Sequence, residues 1–130
     1  MTPRTMLQLL ALPVLASLAA SAVQAATLST PPLHPDPGGR LACTVVNVGH
    51  RSLAIQAGIL NDAGQNVTEF ASSQYQDGPG DKIASVLVES TADAARFCKV
   101  TVSGGGRSQV RAALEAFDAN GVRTAVVEAR

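Results

Sequence analysis

The chain has 130 residues, 46% of them hydrophobic but only 3% aromatic, and its ten basic side chains are balanced by ten acidic ones. That length predicts one small domain. Zero net charge removes the bulk attraction to phosphate backbones, so nucleic acid is not an expected partner. The apolar content excludes a disordered tail.

Residues 1–25 have the order of a secretory signal: Arg4 early, an apolar run over 6–20, then small residues, with Val23 and Ala25 at the −3 and −1 positions of a peptidase site. Cleavage is expected before Ala26. The apolar run is about 15 residues long and is interrupted by Gln8 and Pro13, whereas a membrane span needs about 20. Leu41-Ala42-Cys43 looks like a lipid-attachment box, but Arg40 and the polar segment before it disqualify it. No later stretch is apolar enough to cross a bilayer, so the mature chain is expected to have no membrane span.

Residues 26–40 hold four prolines and two glycines and read as an extended lead-in that can open with a short edge strand. Period-two alternation begins after it. In 41–48, Cys43 and Val45 share one face and Thr44, Val46 and Val48 the other. In 53–60, Leu53, Ile55, Ala57 and Ile59 oppose Ala54, Gln56 and Gly58. Gly49-His50-Arg51-Ser52 and Asn61-Asp62-Ala63-Gly64 carry turn chemistry. Residues 65–70 read as a weaker strand, 71–82 as a polar loop, 83–89 as a strand, and 90–95 as a loop or one helical turn.

In 96–103, Cys98, Val100 and Val102 oppose Phe97, Lys99 and Thr101. Gly104-Gly105-Gly106 then turns the chain. Residues 109–117 have helix-favouring composition, but Asp118-Ala119-Asn120-Gly121 and the alternation in 122–128 make a hairpin the better reading. The sum is an all-β protein of about seven strands, an antiparallel β-sandwich built by residues 41–130.

Cys43 and Cys98 are the only cysteines. In an oxidising compartment such a pair is expected to bond, and the spacing is unlike a redox Cys-x-x-Cys. A bond between an early and a late strand, each with valines on the same face, would tie two sheets across a core, as in Ig-like domains. The core tryptophan of those domains is absent.

Three segments resemble small exported bacterial β-sandwich proteins of unassigned function: Ser29-Thr30-Pro31-Pro32-Leu33, then Cys43-Thr44-Val45-Val46-Asn47-Val48-Gly49, then the strand and turn ending at Gly64. The step Asn47-x-Gly49 is also similar to the first turn of adhesion-associated Ig-like modules of bacteria. The resemblance covers about a third of the mature chain. It implies an Ig-like sandwich behind a signal peptide, located in the bacterial periplasm or outside the cell, and brings no catalytic residue with it.

Chemistry is sparse. Nucleophilic catalysis needs a base, and only His34 in the lead-in and His50 in a turn offer an imidazole. Both read as solvated loop residues. His34, Asp36 and His50 lack the clustering of a metal site. Asp77 and Asp81, with Gly78 and Gly80 between them, lack the ligand alternation of a calcium loop. Ser103-Gly104-Gly105-Gly106-Arg107-Ser108 lacks the lysine and the following helix of a phosphate loop, and reads as a glycine hairpin. Asn66-Val67-Thr68 matches a glycosylation acceptor that has no use in bacteria. Glu69, Glu89, Glu115 and Glu128 read as exposed strand residues.

The expectation is therefore a non-catalytic exported module without metal or cofactor, binding an unidentified protein or surface. Its candidate contact loop comprises Tyr75, Gln76, Asp77, Asp81 and Lys82, because binding residues concentrate at loops. The alternatives are a strand-exchanging assembly subunit, using residues 26–30 or an edge strand, and a small metal-handling protein or hydrolase.

Overall fold

The computed structural model describes residues 25–75, 83–91 and 94–130. The expected leader lies outside these except for Ala25, and so do Gln76, Asp77, Gly78, Gly80, Asp81 and Lys82. Eight strands follow one another: β1 (Ala25–Ser29), β2 (Arg40–Asn47), β3 (Ala54–Leu60), β4 (Phe70–Tyr75), β5 (Ile83–Thr91), β6 (Phe97–Ser103), β7 (Val110–Phe117) and β8 (Arg123–Glu128). A short 3-10 turn occupies Arg107–Gln109. The strands form two antiparallel sheets, β1-β6-β3 and β4-β5-β2-β7-β8.

Alternation decides which side chains become core. Leu41, Cys43 and Val45 of β2 stand in register with Val88 and Val86 of β5 and with Ala116, Leu114 and Ala112 of β7, all buried. From the smaller sheet, Leu28, Ile55, Ile59, Val100 and Val102 pack against them. Period two puts each of these sets on one face of its sheet. The Cys43–Cys98 disulfide joins β2 to β6 with 6.1 Å between the Cα atoms, so it crosses from one sheet to the other. Closing a loop with a sequence separation of 55 residues restricts the unfolded chain by about 4 kcal/mol.

The lead-in is ordered by the cysteine strand. The Thr30 N–H donates to the Cys98 carbonyl, and the Thr30 hydroxyl oxygen accepts from the Cys98 N–H. Leu33 and Arg96 then exchange backbone bonds. Asp36-Pro37-Gly38-Gly39 reverses the chain with Gly38 at φ +75° and the Gly39 N–H donating to the Asp36 carbonyl. Gly39 lies so close to the Phe117 carbonyl that a Cβ there would overlap it.

Three expectations are corrected. The strand expected over 65–70 lies further along, at Phe70–Tyr75, so 71–75 are not loop. Residues 65–69 instead wrap the edge of β3. The Val67 N–H donates to the Ile59 carbonyl, and the Thr68 hydroxyl accepts from the Ile59 N–H. Glu69 precedes the strand, and its carboxylate takes the Thr91 hydroxyl at 2.8 Å.

Second, Ser90 and Thr91 belong to β5. Buried Ser90 donates its hydroxyl to the Val67 carbonyl. Third, Gly104–Gly106 do not close a hairpin. The chain leaves β6 in the small sheet and enters β7 in the large one, with Gly104 at φ +89°. In an immunoglobulin arrangement the strand that follows the second cysteine strand pairs with it. Here β7 pairs with β2, and β1 takes the place beside β6.

Candidate binding surfaces

The sequence candidates do not assemble into one centre. His34 and His50 are both exposed and flank opposite ends of β2, an eight-residue strand that spans roughly 25 Å. The His34 Nδ1 lies 2.8 Å from the Pro35 carbonyl oxygen. Among the described residues, no group of three or more His, Cys, Asp or Glu is placed to hold a metal ion. Glu89 pairs with Arg40, whose guanidinium also lies 4.3 Å from the centre of the Phe117 ring. Glu115 lies 3.8 Å from Arg123. Asn66 of the glycosylation-like triplet accepts from the Thr68 N–H, a local turn bond. Asn47 builds the turn noted in the sequence: its side-chain oxygen accepts from the Gly49 N–H, and its amide donates to the Arg51 and Ile83 carbonyls.

Of the five proposed contact residues only Tyr75 is described, and it ends β4 rather than sitting in a loop. Its strand is unusual. All six residues, Phe-Ala-Ser-Ser-Gln-Tyr, are exposed, including Ala71 and Ser73, which are in register with core-facing Val88 and Val86. Both faces of β4 are therefore open, so the large sheet extends past the small one on this side. Phe70 is 51% and Tyr75 42% exposed. Among the described residues nothing outside β5 hydrogen-bonds to β4. The strand has no charge and no proline; its one irregularity is a register shift between Gln74 and Tyr75.

The other edges are blocked. Residues 66–68 cover part of β3. On β1, the Arg107 guanidinium donates through Nε and Nη2 to the Thr27 carbonyl, and Ser29 exchanges backbone bonds with Arg130. Strand β8 carries Arg123 and Glu128, and its register with β7 shifts between Ala116 and Phe117. Charge, coverage and bulges are the usual devices against unwanted strand pairing.

A second concave feature lies where the sheets part between β1 and β7. Strand β8 pairs with β7 only over Ala113–Phe117, after which the Ala129 N–H donates to the Ala112 carbonyl and the chain swings to β1. The space left measures about 630 Å³. Its lining includes the apolar residues Val46, Ala113 and Ala129, all at least partly exposed, and the charged residues Arg107, Arg111, Arg130, Glu115 and Glu128. Sequence reading missed this cleft. Arg130 is remote in the chain from Arg107 and Arg111, and only the sheet crossover at Gly104–Gly106 brings Arg107 beside β1.

No helix among the described residues is long and apolar enough to cross a membrane. The chain matches no family model, no curated protein and no solved structure.

Proposed function

We propose that this chain is an exported, non-catalytic β-sandwich module that binds a protein partner, or a surface displaying one, by accepting an extended segment along β4. One observation carries the reading: β4 is an edge strand with both faces exposed and, among the described residues, no charge, proline or covering segment, its register shift being confined to its end between Gln74 and Tyr75. An open edge offers main-chain donors and acceptors, which give affinity to any extended peptide. Neighbouring side chains supply the selection. Phe70 and Tyr75, at the two ends of the strand, are the anchors, since aromatic residues dominate interface energetics. The cross-sheet disulfide suits a small domain that works in an oxidising compartment. The leader over residues 1–25 supplies the route there.

In the strand-exchange alternative the exchanged strand is β1, which pairs with β6 of its own chain over Ala25–Ser29, or the accepting edge is β4. Cleavage before Ala26 retains four of those five pairs.

The test is a photo-crosslinking residue in place of Tyr75, with Ser72→Lys as the blocking variant, in the exporting cell. The expected result is a defined crosslinked partner that is lost in Ser72→Lys. No partner, or capture that Ser72→Lys leaves unchanged, overturns the reading.

A further inference from the structure

The cleft between β1 and β7 has a charge pattern that the rest of the chain lacks. The protein is neutral overall, yet three arginines converge on one space of about 630 Å³. The ion pairs among the described residues are Arg40–Glu89 and Arg123–Glu115, and neither includes Arg107, Arg111 or Arg130. Glu115 is turned to account by Arg123, which leaves Glu128 as the carboxylate on the rim with no ion-pair partner. Counted over side chains, the balance around the cleft is therefore positive.

Two of the guanidinium groups are also held in place. Arg107 is fixed by two bonds to the Thr27 carbonyl, and Arg111 by bonds from Nη1 to the Val110 and Ser108 carbonyls. A guanidinium has five N–H donors, so each retains donors for a ligand while its position is set by main chain. Between the charged groups the accessible lining is aliphatic, from Val46, Ala113 and Ala129. Small-molecule sites occupy roughly 300–1,000 Å³ and combine an apolar lining with a few placed polar groups. This cleft has that size and that division.

We infer that the β1–β7 cleft binds an amphiphilic anion, its carboxylate or phosphate head held by Arg107, Arg111 and Arg130 and its hydrocarbon body laid against Val46, Ala113 and Ala129. Guanidinium groups suit such oxyanions because they donate two parallel hydrogen bonds. The site is separate from β4 and does not depend on what β4 accepts. The head could belong to a free fatty acid or to a membrane lipid, and the two sources are separable by experiment.

The mature, oxidised protein is titrated calorimetrically with dodecanoate below its micelle concentration. In parallel it is tested for co-sedimentation with phosphatidylglycerol vesicles, using phosphatidylcholine vesicles and dodecyltrimethylammonium as controls. Saturable one-to-one binding of dodecanoate with no response to the cation supports a free-ligand site. Binding confined to the anionic vesicles supports a lipid head group. In either case Arg111→Gln and Arg130→Ala each weaken binding at least tenfold, while Arg51→Ala, which removes one exposed charge from the β2–β3 turn, leaves it unchanged. Far-ultraviolet dichroism and the absence of free thiols show that the variants are folded. The inference is overturned by no binding in either arm, by equal binding of the cation, or by equal losses in Arg51→Ala and the cleft variants.

Discussion

The two flanks of the sandwich are built to opposite ends. On the β1 flank, outward groups are engaged: the Thr27 carbonyl takes Arg107, and Ser29 exchanges bonds with Arg130. Leu28 points into the core, and Thr30 bonds the backbone of Cys98. On the β4 flank, six residues hang from β5 by pairing and none of them is a buried residue. The first flank illustrates how a sheet edge is closed, and the second how one is left open. A strand that is neither covered nor charged adds little to folding, so its uncharged sequence is better explained by what it meets than by what it stabilises.

The largest effect that would break this contrast concerns the disulfide. Cys43→Ala/Cys98→Ala should lose about 4 kcal/mol in denaturant unfolding. The loss should be unevenly distributed in amide exchange. Protection in β1 and β6 should fall, because Thr30 is bonded to the Cys98 backbone. Amides of β4 should exchange fast in both proteins. Equal protection of β1 and β4 in the parent protein would abolish the distinction.

A smaller pair of changes sharpens it. Leu28 is buried against the core at 5% exposure, and Leu28→Ala should cost about 3 kcal/mol. Phe70, the larger residue, is half exposed on β4, and Phe70→Ala should stay within about 0.5 kcal/mol. Thermal unfolding of the two variants side by side measures both. A comparable cost at Phe70 would mean that β4 is part of the packed structure.

How much of this was readable depends on whether an element has a dry side. In β2, β3, β6 and β7 one face meets the core, and that face imposed alternation on the sequence. Cys43 with Val45, and Cys98 with Val100 and Val102, were therefore legible as inward sets, and the sandwich and its disulfide with them. The turns at Asn61 and Asp118 were legible from local chemistry. Asp118 accepts from the Asn120 and Val122 N–H groups, and Asn61 from those of Ala63 and Gln65. Strand β4 escaped because it has two wet faces. Phe-Ala-Ser-Ser-Gln-Tyr has no pattern to show, and Val67 and Phe70 drew the expected strand several residues too early. The crossover at Gly104–Gly106 escaped for another reason: glycines announce a turn, but nothing local says which sheet receives the next strand. The cleft follows from that crossover and was invisible with it.

The smallest change addresses the closed edge directly. Arg107→Ala removes both guanidinium bonds to the Thr27 carbonyl. The bonds lie at an exposed position, where water can replace them, so the cost in unfolding should be only about 1 kcal/mol. The consequence for association should be larger than that cost suggests. With the guanidinium gone, Thr27 presents an unguarded carbonyl on an edge whose neighbouring side chains, Ala26 and Thr27, carry no charge. Self-association should then rise with concentration, measured by sedimentation velocity, and Thr27→Lys should suppress it by restoring a charge to the same edge. Unchanged sedimentation in Arg107→Ala would mean that the Ser29–Arg130 bonds alone close this flank, and that arginine is there chiefly for the cleft.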